Sequence, residues 1–414
     1  MTLALLSQAA ACGAALCGCG TGTAAAVGAD AAVQSAGDGY EAFPPDFPSI
    51  VAGAGPRLTS PKLVTITWAS DVAGATMQDF DERLGASAYW KATTSEYGIG
   101  EASSQSVVIQ SAPPAAWDDT QVDKWVQAQA QSSSSGWPPP DGQTVYVVYL
   151  PASVELASMG QDACLSYAGY HTDLGTSPDI AYALIPEACY RGTPYSLIDN
   201  ATSSAAHEIV EAVTDPFSNL SPAYLGFDPD HLAWELWTEW QDEVADACEF
   251  SSSAYYREGA DLPYLVQRIW SNESAYAGHD PCVPRLAVPY FDVAPQALES
   301  LSIDALSADG KTVSPFTSKG FRIAPGQTAT VKVGFFSDAP SGAWSVTLAE
   351  GDCCTKAAGL LTLSPTTLTG RNGDVGAVSV TVNKAPAVGN AIAMSLTSSN
   401  SSAAHVRPVL IGAY

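Results

Sequence analysis

The run Ala206-His207-Glu208-Ile209-Val210-Glu211-Ala212 carries the residue types best suited to chemistry. On a helix, positions i and i+4 lie on one face, so His207 and Glu211 project together. An imidazole and a carboxylate at that spacing can share one divalent cation. Glu208, one position on, points beside that face and can take a proton from cation-bound water. Glu211 in the place of a second imidazole makes a harder site, compatible with zinc and more tolerant of other ions. Catalytic zinc normally takes three protein ligands and a water, so a third ligand must come from elsewhere. Glu243 and Asp246, at i and i+3 in Asp242-Glu243-Val244-Ala245-Asp246-Ala247-Cys248, are candidates, and His171 and His231 are the nitrogen candidates. The competing reading is plainer: a charge pair on an amphipathic helix, and a solvated acidic run downstream.

The elements that must position these residues follow from periodicity. Leu197–Thr214 reads as a helix stopped by the T-D-P at 214–216. Leu63–Trp68, Val107–Ile109 and Thr144–Leu150 read as strands, the last nearly all apolar and therefore central. Gln78–Leu84 and Trp117–Gln131 carry helical spacing, with Val122, Trp125, Val126 and Ala130 near one face. Strands alternating with helices predict an α/β or α+β layer structure. Residues 161–193 hold two cysteines and little periodicity, which predicts a stapled loop region. Beyond residue 286 the style changes to short alternating strands such as TATVKVGFF and WSVTL, separated by Gly, Pro, Ser and Asn turns. That pattern predicts an all-β sandwich. The stretch APGQTATVKV…WSVTL…LLTLSPTTLTG…AVSVTV resembles the immunoglobulin-like accessory modules of secreted bacterial hydrolases.

Composition narrows the function classes. The 414 residues hold 17 Lys+Arg against 43 Asp+Glu, a formal charge of −26. Nucleic-acid binding and polybasic membrane contact both need clustered Lys and Arg, so both are excluded. Residues 3–16 form a short apolar run of small residues, too short to span a bilayer and fitting the core of a signal peptide. The run ends in Leu16-Cys17-Gly18-Cys19, which resembles a bacterial lipobox, and Cys12 is a second acceptor candidate. The division expected is a lipoprotein-type signal peptide at 1–19, a flexible tether at 20–56, a metallopeptidase-like domain at 57–286 and the sandwich at 287–414. Nine cysteines occur, six of them beyond the leader. An even count in an exported chain points to disulfides. Proximity suggests Cys164–Cys189 and Cys248–Cys282, while adjacent Cys353 and Cys354 either bridge to each other or stay reduced. No CxxC pair offers a thiolate zinc site.

Six blocks in order carry a resemblance over about residues 59–284: TSPKLVTITW, CLSYAGYHTD, IAYALIPEAC, SAAHEIVEAVTDP, EVADACEF and YLVQRIWSNE…CVP. The chain resembles the phosphate-induced, EXORDIUM-like family of secreted proteins and its bacterial relatives. That family typically shows a Cys-Gly-aromatic-His block, an H-E-L-x-E-x-x-[ST]-[DN]-P helix, an E-I-x-D-x-C block and a V-Q-x-x-W segment. His171, the His207–Pro216 helix, Glu243–Cys248 and Val266–Trp270 match in turn, with Ala168 and Val244 departing from the pattern. The family is known mainly by sequence and by association with growth in plants, so the activity reading comes from H-E-x-x-E, which resembles zincin-type peptidases. The resemblance implies a zincin-like fold and places Asp246 and Glu243 to complete a Zn²⁺ site with His207 and Glu211. Asp246 is favoured, because a bridge at Cys248 would fix its approach.

The expected activity is peptide hydrolysis, with Glu208 as general base and His171 either polarising a substrate carbonyl or packing its loop. The rivals are a non-catalytic extracellular or cell-wall binding protein on a degenerate protease fold, and a glycan binder using Trp234, Trp237 and Trp240. Those tryptophans otherwise read as a core stripe. The expected partners are a protein or peptide substrate and the cell wall or its glycans, with membrane attachment only through the lipid anchor. His231 and His279 are expected at the surface. Asp228 and Asp230 lack the spacing of a calcium loop, and Ser203 and Ser204 form no nucleophile elbow.

Overall fold

The computed structural model describes residues 45–165, 167–189, 194–238, 243–249, 251–257, 259–304, 316–351, 358–387 and 389–414. The leader with its cysteines, Trp240 and the Cys353-Cys354 pair lie outside them. The chain is of mixed α/β class. Its first part is built on β1 (Lys62–Trp68), α1 (Gly74–Leu84), β2 (Ser103–Ile109), α2 (Asp119–Gln131), β3 (Thr144–Leu150), β4 (Tyr170–Leu174), β5 (Ile180–Pro186) and α3 (Leu197–Thr214). The five strands form one sheet in the order β2-β1-β3-β5-β4, parallel throughout except for β4, which runs antiparallel along one edge.

Alternation along the central strands feeds two cores. Leu63, Val145, Val147 and Tyr149 face one side with Met77 and Phe80 of α1 and Ala205 and Ile209 of α3. Val64, Ile66, Tyr146 and Val148 face the other side with Val122 and Val126 of α2. A sheet covered by helices on both faces needs strands that are apolar on both faces, which is why TVYVVYL is buried along its whole length. The α3 helix begins at Ser196, whose side chain accepts from the Asp199 N–H, and is buried over most of its length. Its outer side is covered by α4 (Leu232–Trp237), α5 (Asp246–Glu249) and the short strand β6 (Leu265–Gln267), which share its core cluster.

The second part comprises β7 (Phe291–Pro295), β8 (Glu299–Ile303), β9 (Phe316–Arg322), β10 (Thr328–Ser337), β11 (Trp344–Glu350), β12 (Leu361–Ser364), β13 (Thr367–Gly370), β14 (Val375–Val382), β15 (Ala391–Ser399) and β16 (Ala404–Gly412). They form two sheets, β7-β10-β14-β12 and β8-β9-β16-β15-β11-β13, around one apolar cluster that includes Phe335, Trp344, Val346 and Val380. Leu232 and Ala233 of α4 pack on Leu301, Ile303 and Leu410 of the larger sheet.

Both expected bridges form, Cys164–Cys189 and Cys248–Cys282. Three expectations need correction. Residues 45–56, assigned to a tether by composition, are packed: Phe47 and Ile50 enter the core, and Ile50–Ala52 pairs with Tyr224–Phe227. The partners of these apolar residues lie far along the chain, out of reach of a local reading. Among its described residues the stapled 161–193 region holds β4 and β5; IAYALIP is a continuous apolar run whose lack of alternation reflects burial on both faces. Trp117 lies in a short strand, Ala116–Asp118, and the helix begins only after Asp118 caps it in a capping box with Gln121.

One buried acid lies between α1 and this sheet. Asp81 of α1 accepts from Thr65 and Tyr149 hydroxyls, each at 2.7 Å. Burial outweighs these bonds and pushes its pKa up to about 7 from an ordinary 3.8. The unfolded chain therefore loses this proton near pH 4 while the folded chain keeps it until pH 7, so stability falls across that window. The shift corresponds to about 4 kcal/mol. Asp81→Asn removes this titration. Urea unfolding should show the variant gaining on the wild type between pH 4.5 and pH 8; parallel pH profiles for the two would refute the assignment.

Candidate metal centre

His207, Glu208 and Glu211 project from the middle of α3 into a space bounded by β4, α5, β6 and the turn at 243–245. This surrounds the H-E-x-x-E residues with protein rather than solvent; Glu211 is only 2% exposed. The helix face is fixed by its neighbours. The Thr202 hydroxyl donates to the Leu265 carbonyl at 2.8 Å, which lays β6 along α3. On the other side Ser204 donates to the Ala168 carbonyl at 3.1 Å, which brings the start of β4 against the helix. That approach requires Gly169: an added Cβ would stand 2.6 Å from Ser204 Oγ and 3.0 Å from Glu208 Cγ.

Three donor atoms converge. His207 Nε2 lies 3.0 Å from Glu211 Oε2 and 3.4 Å from Asp246 Oδ1. Ligand atoms around a tetrahedral zinc stand about 3.3 Å apart, from metal–ligand bonds of about 2.0 Å. The other polar atom of each side chain is already engaged. Glu211 Oε1 accepts from the Ala245 and Asp246 N–H groups at 3.0 and 3.3 Å. Asp246 Oδ2 accepts from the Glu243 N–H at 3.2 Å. His207 Nδ1 lies 3.1 Å from Gln267 Oε1. Gln267 Nε2 donates to the Ala245 carbonyl at 2.9 Å, so its amide orientation is set and Oε1 must face the imidazole. A neutral His207 therefore carries its proton on Nδ1 and turns the Nε2 lone pair toward the two carboxylates. The donor set and its outer hydrogen bonds fit a divalent cation.

His171 reaches the same space from β4. Its Nδ1 is 3.6 Å from Glu211 Oε2 and 3.8 Å from Glu208 Oε2, and its Nε2 is 3.5 Å from Glu243 Oε1. His171, Glu243 and Asp246 thus join His207, Glu208 and Glu211 in one cluster, with Asp246 beside His207 and Glu243 beside His171. His231 does not join it and is not a surface residue: its side chain is mostly buried and bonds Asp228 at 2.7 Å, near Asp46. Asp228 draws it inward by accepting from the Ser49 N–H, part of the packed 45–56 segment. His279 pairs with Asp338 away from the centre. Trp234 is packed in the core against Phe227 and Trp270. The Glu235 carboxylate accepts from the Phe227 N–H at 2.8 Å.

Electrostatics in this space follow from burial and crowding. Burial opposes a charged His207, yet Glu211 and Glu208 outweigh it and hold its pKa well above the ordinary value. Burial likewise opposes a charged His171, and Glu243, Glu208 and Glu211 outweigh it. Burial works to raise Glu211, but the two imidazoles hold it below the usual carboxylate range. Glu208 and Asp246 are pushed up, chiefly by burial. Glu243 is also pushed up by burial, although 32% of its side chain meets solvent, which moderates the effect. Glu249, beside the cluster on α5, is pushed up to about 7 by burial.

The outer residue that sequence reading missed is Gln267. It stands in the V-Q-x-x-W segment, which reads as hydrophobic, and only the pairing of β6 along α3 brings it to His207.

No family model and no curated protein matches the chain. Solved structures give distant likenesses. The titin M3 domain is 6% identical with a TM-score of 0.15, covering 23% of this chain and 86% of that one. The D00-D0 domain of intimin is 12% identical with a TM-score of 0.17, covering 30% and 64%. Wild-type OgpA from Akkermansia muciniphila is 9% identical with a TM-score of 0.18, covering 89% and 97%. Scores this low carry no argument about fold or function.

Outer-shell partners of metal-bound histidines typically contribute 10- to 100-fold in affinity, so Gln267→Leu should weaken zinc binding by about that factor with the fold intact by circular dichroism. Unchanged affinity in a competition titration with a chromogenic chelator would sink the role given to Gln267.

Proposed function

We propose that the protein is an exported, zinc-dependent hydrolase acting on peptide bonds. In this reading the first part is a zincin-like domain related to the EXORDIUM-like proteins, and the second is an immunoglobulin-like accessory module. The observation that carries it is the convergence of His207 Nε2, Glu211 Oε2 and Asp246 Oδ1, each with its outer atom held by a separate hydrogen bond. Bound there, Zn²⁺ would supply a Lewis acid that makes water acidic enough to ionise near pH 7. His207, Glu211 and Asp246 hold it, and Gln267 and the Ala245 N–H keep their donor atoms aimed.

Glu208 does the proton work. It stands one residue from His207 and is buried, and burial pushes its carboxyl above the ordinary carboxylate value. It takes the proton of the attacking water and delivers it to the leaving amine. In this reading His171, which faces Glu208 from β4 at 3.8 Å, polarises the carbonyl under attack. The peptide class is favoured by β4 itself. It is an edge strand bonded only to β5 among the described strands, and an extended peptide can add to such an edge.

Two disulfides are consistent with an oxidising compartment. Among the described residues no helix is long and apolar enough to cross a membrane. The lipobox-like Cys19, or Cys12, is the proposed point of attachment to the bacterial surface.

Purified chain should contain bound zinc by elemental analysis, and His207→Ala should lose the ion held with Glu211 and Asp246; a metal-free wild type would end the proposal. Removal of zinc by chelator should lower the thermal midpoint. A ligand at 100 times its Kd contributes about 2.7 kcal/mol to the folded state. Glu208→Gln should keep zinc at His207 and lose about 10²- to 10⁴-fold in turnover of a peptide library, the usual contribution of a general base. If zinc-loaded wild type turns over no peptide in the library, the non-catalytic binding protein on the same scaffold takes the place of the enzyme.

A further inference from the structure

The cluster holds more negative charge than one cation can balance. Glu208, Glu211, Glu243 and Asp246 supply four carboxylates around two imidazoles. With both imidazoles neutral and all four carboxylates ionised the charge is −4, and one divalent cation leaves −2 on three buried carboxylates and the partly exposed Glu243. Buried carboxylates without compensation are strongly unfavourable.

His171 repeats the arrangement found at His207. Its side chain is 3% exposed, and its Nδ1 faces Glu211 Oε2 at 3.6 Å and Glu208 Oε2 at 3.8 Å. These three donor atoms all lie within 4.8 Å of one another. The opposite ring atom, Nε2, is buried with no hydrogen-bond partner and has Glu243 Oε1 at 3.5 Å. A carboxylate behind one ring nitrogen, with the other nitrogen aimed at two further carboxylates, is the order found in carboxylate–histidine–metal chains. Glu243 then plays toward His171 the part that Gln267 plays toward His207. Glu211 links the two halves. Its Oε1 is committed to backbone N–H groups, while its Oε2 lies between the imidazoles, 3.0 Å from His207 Nε2 and 3.6 Å from His171 Nδ1.

We propose that the centre is binuclear: a second divalent transition cation is held by His171 Nδ1, Glu208 Oε2 and Glu211 Oε2, the last bridging to the first cation. This rests on the metal-hydrolase reading and deepens it. Two divalent cations bring the four carboxylates to neutrality. In two-metal hydrolytic sites the ions stand about 3.5–4 Å apart, a spacing that a single bridging carboxylate oxygen can serve. His171 then acts as a ligand rather than as a carbonyl-polarising group. Glu208 keeps Oε1 for proton transfer.

The test is metal stoichiometry of the whole purified chain, stripped by chelator and dialysed to equilibrium against Zn²⁺. The expected result is two zinc per wild-type chain and one in His171→Ala. Loading with Mn²⁺ should give a spin-coupled pair by electron paramagnetic resonance in the wild type and an uncoupled ion in His171→Ala. One zinc per wild-type chain with an uncoupled Mn²⁺ signal overturns the binuclear centre and leaves the mononuclear reading standing. No zinc overturns both. Two zinc that persist in His171→Ala place the second ion elsewhere and also overturn the inference. Should His171→Ala fail to fold, the wild-type stoichiometry and spin coupling decide alone.

Discussion

A carboxylate inside a protein must be answered by donors or cations, and Glu211 is where this protein meets that constraint. Its side chain is almost wholly enclosed, and the Ala245 and Asp246 N–H groups engage one of its oxygens. Those bonds do more than solvate an acid. They dock the turn at 243–245 onto α3, and the docked turn delivers Asp246 to His207 and Glu243 to His171. The remaining Glu211 oxygen, facing both imidazoles, is the point on which the candidate centre is organised.

The architecture around this point divides the labour between a rigid floor and an adapted cover. The floor is the parallel sheet with α3 packed across it, held by Val, Ile, Tyr and Ala contacts, with Asp81 buried on hydrogen bonds from Thr65 and Tyr149. The cover is built from short pieces, β4, α5 and β6, none of which is stable alone. Cys164–Cys189 ties the approach to β4 to the end of β5, and Cys248–Cys282 ties α5 to the segment that follows β6. Chain constraint thus stands in for the apolar area that such short elements cannot bury. The second part of the chain is joined firmly to the first through α4 and through Arg407, which bonds Asp292 and lies over the Phe47 and Trp234 rings.

Legibility in the sequence followed the range of the interaction. The α3 helix, its stop at T-D-P and its i, i+4 pair are local, and they could be read directly. So could β3, whose unbroken apolar run has one meaning in a parallel sheet. The cysteine pairs were short-range in sequence and came out correctly. The segment 45–56 was misread because Phe47 and Ile50 find their partners across some two hundred residues, at Tyr290, Trp270 and Asn272. The strand β4 was missed for a similar reason. YHTDL has polar residues on both faces, and only its pairing with β5 makes it a strand.

By itself the sequence determined which side chains were available for chemistry: His207, Glu208 and Glu211 in helical register, and Glu243, Asp246 and His171 as distant candidates. Helical geometry suffices for the first three, because 3.6 residues per turn stack i over i+4 whatever the surroundings. Tertiary structure decided the rest. It brought His171 in on an antiparallel edge strand, matched Asp246 to His207 through backbone donors to Glu211, and set the His207 tautomer through Gln267. The residue types were visible in the sequence, but their approach was not, because it depends on hydrogen bonds between segments whose separation along the chain bears no relation to their distance in space.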